Sequence, residues 1–309
     1  MPVHNGEKYI AIALESVREQ YCDVVELVIV DDGSSDRTVQ IVREFSQVLP
    51  LRLISPGRVG STEAATNVGL REATGTWACF LHSDDFWLPG RITSLRPEME
   101  KSDGALILHN AIFVGPDGRN LGPWTCPLPE GVVASDLFLE RLLVQNFVPI
   151  SAPIFRRSAA VDSGGYDEAL WFSADWDLWL RLGAMGPVSF IAKTLSTYRI
   201  HPEAQTVAYK RKPNETEQQL TGVLSRHLHT WPITGGRRMS VERAAKASIA
   251  VNAVLASAVR GEAFHSSLLL RQLLTLGPAG WRRFLRDSRI AQRVGSRLKV
   301  QGLRRPRRK

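Results

Sequence analysis

Phe80-Leu81-His82-Ser83-Asp84-Asp85-Phe86-Trp87 decides how this chain is read. An apolar run from Trp77 to Leu81 drives into two adjacent carboxylates, and Leu88-Pro89 closes the segment ahead of a helix. Two acids at the end of a buried strand repel each other and lose hydration, so something must hold them ionised. A divalent cation would do so, because hard ions take carboxylate oxygen. A turn in which Asp84 caps the next helix accounts for the same residues. Taken alone, the stretch leaves both readings open.

Upstream, the pattern alternates. Val24 to Val30 is nearly continuous apolar sequence, as in a strand buried on both faces, and it ends in Asp31-Asp32-Gly33-Ser34-Ser35-Asp36. Ser35 is placed to cap a helix carrying Thr38, Ile41, Val42 and Phe45. Leu51 to Ser55 reads as a short strand, and Ser61 opens a helix that Gly75 stops. Strand, helix, strand, helix is the order of an α/β sheet with parallel strands, in which ligands sit at strand carboxyl ends. Asp31-Asp32 and Asp84-Asp85 both fall at such ends, so they are expected to face one cleft. At the front, Asn5 is expected to cap a helix with Ile10, Leu14 and Val17 on one face. Pro2-Val3-His4-Asn5 reads as the end of a strand whose body lies upstream of Met1.

Downstream, a helix is expected from Pro89 to about Met99, strands over 105–114 and 188–198, and a helix after Ser135. Ala174-Asp175-Trp176-Asp177 begins another helix with acids in its first turn, as the helix dipole favours. Beyond about residue 205 strand patterns stop. Helices are expected over 215–229, 241–259 and 264–276, with Gly277-Pro278 as a stop signal. Two regions follow: an α/β unit over 1–205 with its first strand cut short, and a helical region over 206–309.

A hydrophobic content of 44% with 23% charged residues fits a soluble globular chain of 309 residues. The three cysteines, Cys22, Cys79 and Cys126, lack CxxC spacing, which speaks against a zinc site or disulfide framework and for a reducing compartment. Neither a secretory leader nor an apolar run near the roughly 20 residues of a membrane span is visible. The net charge is +8, and the eight basic residues from Arg293 to Lys309, with no acid among them, account for all of it. Such a tail suits an anionic membrane surface. Nucleic acid is not expected, because no aromatics interleave with the arginines.

Seven short pieces, in order, resemble the GT-A glycosyltransferases of the large family 2. They are Pro2-Val3-His4-Asn5-Gly6, Val30-Asp31-Asp32-Gly33-Ser34-Ser35-Asp36, Asn67-Val68-Gly69, Phe80 through Pro89, Gly164-Gly165-Tyr166-Asp167, Ala174 through Arg181, and Tyr198-Arg199-Ile200-His201. The likeness covers about two-thirds of the chain and stops before its last third. It implies a Rossmann-like, mainly parallel α/β sheet flanked by helices, with the helical C-terminal region as an extension. It also implies an inverting, hexosyl-type transferase that moves a sugar from a nucleoside-diphosphate sugar to an acceptor hydroxyl, in cell-surface polysaccharide or glycolipid synthesis.

On that resemblance Asp32 accepts the imino N–H of the donor's base, which suits UDP ahead of dTDP or GDP and disfavours adenine. Pro2 and His4 line the base pocket, and Asn67, His82 and Ser83 complete the donor site. Asp84, Asp85 and His201 hold Mn²⁺ or Mg²⁺. Asp175 is the catalytic base, and Trp171, Phe172 and Trp176 face the acceptor, a glycan or a lipid-linked molecule. The implied location is cytoplasmic, peripheral at the inner membrane face. The sequence departs from the family pattern at His4, where Tyr is usual, and at two further motif positions: His82 stands where a carboxylate is usual, and Ala174 where Glu is usual. The last two departures give the alternative reading, a degenerate module that binds a nucleotide sugar or a partner without catalysis.

Overall fold

The structure is a computed structural model, which describes residues 1–20, 24, 26–204, 213–260, 266–295 and 299. Three short strands, β1 (Pro2–Val3), β2 (Leu27–Asp31) and β3 (Leu51–Ile54), form a parallel sheet in the order β1-β2-β3. Helices α1 (Ile10–Arg18), α2 (Thr38–Phe45) and α3 (Thr62–Glu72) connect and cover them. Every residue of β2 is buried, as its unbroken apolar run requires. Met1 lies at the sheet with its amino group buried and donating to Val28 O at 2.7 Å.

A second sheet follows: β4 (Trp77–Ala78), β5 (Leu106–Val114), β6 (Asn120–Trp124), β7 (Gly131–Val133), β8 (Ile154–Arg156) and β9 (Val188–Arg199). Its order is β4-β8-β5-β9-β7, with β6 on β5; β5 and β9 run parallel and the other pairs antiparallel. Helices α4 (Arg91–Lys101), α5 (Ser135–Leu142), α6 (Arg157–Asp162) and α7 (Ala174–Ala184) complete this half.

Several local expectations shift. Only Trp77 and Ala78 of the 77–81 run pair as a strand. Phe80 and Leu81 are buried in two different apolar clusters, so packing holds them where the ladder has ended. Helix α4 begins at Arg91 behind a left-handed Gly90, so Asp84 caps no helix. Asn5 also departs from its expected role. Its backbone is left-handed, with φ 50°, and its side-chain oxygen accepts from Ser35 N at 2.8 Å. The helix accordingly starts later, at Ile10. Asp36 takes the role expected of Ser35: its Oδ1 accepts from Thr38 N at 2.9 Å. Ser61 caps α3 as expected, accepting from Ala64 N at 3.0 Å.

The C-terminal region is helical: α8 (Pro213–Thr230), α9 (Gly235–Arg260), α10 (Ser266–Leu274) and α11 (Gly277–Ser288). Gly277-Pro278 both ends one helix and opens the next. Gly277 has φ 61°, and proline at the first helical position needs no N–H partner. Leu220, Leu224, Trp231 and Phe284 belong to the same apolar core as Leu106, Phe147 and Trp179. The helices therefore help to bury the second sheet and α7. None of the described helices is long and apolar enough to cross a membrane. Of the basic tail, Arg297 and residues 304–309 lie outside the described residues, as does Cys22; Cys79 and Cys126 are free thiols.

Asp177 fastens α7 to α8. It is almost fully buried and meets Arg181 Nε at 2.9 Å, His227 Nε2 at 2.9 Å and Arg226 at 3.0 Å. Burial alone would raise its pKa. The His227 hydrogen bond and the Arg181 charge outweigh burial and hold it down at about 2. A carboxyl depressed below its unfolded value near 3.9 stabilises the fold above that value and loses this contribution as pH falls toward 2. The effect is on the order of 2 kcal/mol. Acid unfolding followed by circular dichroism should therefore show Asp177→Asn less stable than the parent at pH 6, with the gap closing toward pH 2.

Candidate active site

The 84–88 segment is stapled to β9. Phe86 N donates to Thr197 Oγ1 at 2.9 Å, Thr197 N to Phe86 O at 3.0 Å, and Leu88 N to Leu195 O at 2.9 Å. These bonds carry the end of β9, Arg199-Ile200-His201, up to the two acids. His201 Nε2 lies 2.9 Å from Asp84 Oδ2. Arg199 N donates to Asp85 Oδ1 at 2.7 Å, and the Arg199 guanidinium donates to the Asp84 carbonyl at 2.7 Å while lying over the Tyr9 ring. The buried arginine is a strut that fixes the Asp84 backbone from below.

The adjacent carboxyls resolve their repulsion by dividing roles. Burial pushes Asp85 well above the usual carboxylate range, and the neighbouring Asp84 charge adds to it. Burial also acts against ionised Asp84, but the His201 hydrogen bond and the nearby His82 outweigh it and bring its pKa below the usual value. The two acids thus shift in opposite directions, Asp84 down and Asp85 up. Burial lowers the His82 pKa against the pull of the Asp84 charge, and its Nε2 is buried with no hydrogen-bond partner among the described residues.

Of the three residues the resemblance assigns to a metal, Asp84 and His201 meet directly, while Asp85 is committed to the β9 backbone. Among the described residues no group of three His, Cys, Asp or Glu side chains is arranged to hold an ion by itself. The Asp84–His201 pair nonetheless fits a divalent ion. Its 2.9 Å separation is that of neighbouring ligands around an octahedral centre with bonds of about 2.1 Å. The N/O donor set suits Mn²⁺, because imidazole is a softer ligand than Mg²⁺ prefers.

Asp175 stands across a cavity of about 130 Å³ that Asp84, His82, Glu63, Trp171 and Phe172 also line. It lies in the first turn of α7. Asn146 Nδ2 donates to its Oδ2 at 2.9 Å, and the Trp176 N–H to its Oδ1 at 2.7 Å. Burial raises its pKa to about 6 against these bonds, with the Glu63 charge acting in the same direction as burial. Glu63 and Asn146 escape sequence reading. Glu63 looks like an ordinary first-turn acid of α3, and Asn146 like a polar break in an apolar run.

Of the residues expected at the donor base, Asp32 and His4 lie together at the carboxyl ends of the first sheet. Asp32 is buried, and its Oδ1 accepts the backbone N–H groups of Val59 and Gly60. His4 Nδ1 lies 2.9 Å from Asp32 O. Ser83 joins this corner to the acids: a Cβ on Gly6 would come 3.2 Å from its Oγ. Pro2 is buried in β1, opposite Val30, and does not line the cavity. Asn67 is also set apart. Its amide oxygen accepts from Tyr166 N at 2.8 Å and its Nδ2 donates to Tyr166 O at 2.9 Å. It braces the Gly164-Gly165-Tyr166 loop, where left-handed Gly165 leaves no room for a Cβ beside Asn67 Oδ1. Trp176 is core, its Nε1 donating to Leu142 O at 2.9 Å, while Trp171 and Phe172 are half-buried at the cavity.

A glycosyltransferase of Rickettsia typhi, itself uncharacterised, is 25% identical over 242 residues, covering 73% of this chain and 70% of its own. Among solved structures, Staphylococcus aureus TarS 1–349 in complex with UDP-GlcNAc aligns with a TM-score of 0.67 at 17% identity, covering 98% of this chain and 90% of that one. The mannosyltransferase PcManGT of Pyrobaculum calidifontis, in complex with GDP-Man and Mn²⁺, aligns with a TM-score of 0.55 at 16% identity, covering 98% and 86%. At these identities the two structures establish the fold, which is GT-A with a helical C-terminal region. The model for Glycosyl transferase family 2 matches residues 1–157, more than half of the 309, and the chain is a member of that family.

Proposed function

We propose that this family 2 enzyme is an inverting, metal-dependent transferase that moves a hexosyl group from a nucleoside-diphosphate sugar to an acceptor hydroxyl. The observation that carries the reading is the single cavity on which Asp84 and His82 face Asp175. It supplies a donor-diphosphate side and a base side to one small volume. An acceptor hydroxyl is a poor nucleophile, and a carboxylate in reach takes its proton as the new bond to the anomeric carbon forms. Glu63 and Asp85 also line this cavity, and in this reading the proton goes to Asp175, which stands across it from Asp84 and His82. The reaction is then a single displacement with inversion.

Asp84 and His201 would hold the ion, which, when bound, neutralises the charge building on the leaving diphosphate. Asp32, with its carboxylate plane fixed by Val59 and Gly60, suits the imino N–H of uracil, thymine or guanine. The nucleotide sugars bound to the two solved neighbours, UDP-GlcNAc and GDP-Man, support that class of donor. The basic tail supports work at the cytoplasmic face of an anionic membrane, in surface polysaccharide or glycolipid synthesis on a glycan or lipid-linked acceptor.

The test is a panel of nucleotide sugars with Mn²⁺, reading donor turnover and then the anomeric configuration of the product by NMR. Turnover of a UDP-, dTDP- or GDP-sugar with inverted configuration is expected. Retention would overturn the single displacement. Binding of UDP and Mn²⁺ without any turnover would instead favour the non-catalytic module suggested by His82 and Ala174.

A further inference from the structure

A second cavity, of about 250 Å³, is lined by Asp175 but not by Asp84 or His82. Its walls include Trp124, Trp171, Phe172 and Trp176, a large aromatic surface. The end of α11 and the residues after it contribute Ser288, Arg289 and Arg293. Asp175 is the one acid on these walls among the described residues. Arg199, which also lines the cavity, is committed to the carbonyls of Asp84 and Gly115. Arg289 donates to the Cys126 carbonyl at 3.3 Å, and Arg293 to the Ser288 carbonyl at 3.2 Å and to Asn252 Oδ1; these acceptors are uncharged, so the C-terminal arginines bring positive charge to the cavity wall.

Three buried polar atoms on lining residues have no hydrogen-bond partner among the described residues: Ser173 Oγ, Ser288 Oγ and Arg289 Nε. Buried donors left in this state forfeit their hydration, and a ligand oxygen restores it. Arg289 also has a left-handed backbone, with φ 49°, directly after α11. Glycine takes that conformation without strain. Arginine bears the strain and places a guanidinium at the cavity.

We infer that this cavity receives the acceptor and that the acceptor carries a phosphate, bound by Arg289 with Arg293 and the Ser288 hydroxyl. The inference rests on the transferase reading above and names the substrate class for it. The rest of the acceptor lies against the aromatic walls, with its hydroxyl at Asp175. In the transfer the hydroxyl oxygen bonds to the anomeric carbon, the bond from that carbon to the diphosphate oxygen breaks, and the proton passes to Asp175. The planar fork of arginine matches phosphate oxygens in pairs. A phosphate on a lipid and a phosphate on a soluble sugar present the same chemistry to it.

Tryptophan fluorescence of the full chain reads the cavity directly, because three tryptophans line it. Geranyl phosphate, geraniol and glucose 1-phosphate are titrated into the wild type, Arg289→Gly and Arg293→Met. Geranyl phosphate is expected to bind the wild type about tenfold or more tighter than geraniol, and each variant is expected to lose that preference. Arg289→Gly also relieves the backbone strain, so its Tm should not fall; Arg293→Met carries the test should it unfold. Tighter geranyl phosphate than glucose 1-phosphate assigns a lipid phosphate, and the reverse order a soluble one. Equal binding of geranyl phosphate and geraniol, or a preference that survives both variants, overturns the inference. A parallel titration with UDP and Mn²⁺ separates the two readings. It should be unchanged in both variants, and its absence in the wild type would sink the transferase reading while leaving the phosphate result legible.

Discussion

Asp175→Asn is expected to lower sugar transfer about a thousandfold, within the range by which a positioned general base accelerates such steps. The asparagine keeps the size and position of the carboxylate but cannot take a proton. Donor binding should survive, because Asp84, His201 and Asp32 are untouched, so UDP titration gives the parent's affinity. The fold should survive too. Removing a buried charge favours the variant, while its amide N–H₂ must face either Asn146 Nδ2 or the Trp176 N–H, both of which donate to Asp175 now. These effects oppose each other, and Tm should change by only a few degrees.

The pH dependence has a definite sign. Burial holds the Asp175 pKa at about 6, and the base works only when ionised. Activity should therefore rise tenfold per unit below about 6 and level off above it. An acid whose folded pKa is raised costs stability once ionised. That cost is absent below the unfolded value near 3.9, grows between there and about 6, and stays constant beyond. The wild type gains nothing in stability from the charge that its activity needs. A rate profile flat from pH 5 to 8, or transfer by Asp175→Asn near the parent rate, would remove Asp175 as the base.

Asp84→Ala is the second large effect. It deletes the acid whose pKa is held down and which is the partner of His201, and transfer should fall about a thousandfold, equivalent to several kcal/mol of charge stabilisation. The backbone should hold, because Arg199 grips the Asp84 carbonyl rather than its side chain. Mn²⁺ affinity, measured by calorimetry with UDP present, should weaken by at least about a hundredfold. His201→Ala should reproduce part of this loss, whereas Asp85→Ala should weaken metal binding less and lower Tm instead, because it removes the Oδ1 that accepts the Arg199 N–H. A metal affinity unchanged in Asp84→Ala would refute the assignment.

Much of this was legible in the sequence. The acid-terminated apolar run at Val30-Asp31-Asp32 identifies a strand end, whereas before Leu81-His82-Ser83-Asp84 the ladder has already stopped at Ala78 and packing holds the segment instead. The first-turn acids of Ala174-Asp175-Trp176-Asp177 announce a helix start. What stayed hidden depends on partners remote in sequence. Asp84 meets His201 and Asp85 accepts from the Arg199 N–H, both partners more than a hundred positions away. Asn67 reads as a donor residue until its bonds to Tyr166 are seen. Gly277-Pro278 carries both a stop and a start signal, and only the packing of Phe284 into the common core selects the start.

That common core has a bearing on how this enzyme can be recombined. Leu220, Leu224, Trp231 and Phe284 cover apolar side chains of the catalytic half, and Asp177 is neutralised from α8. A protein cut after residue 205 would present that surface to water and leave a buried carboxylate short of its counter-charges. The helical third is therefore no removable cassette. A chimaera that exchanges acceptor preference between family members must carry its own helices with its own α7, or it trades specificity for aggregation.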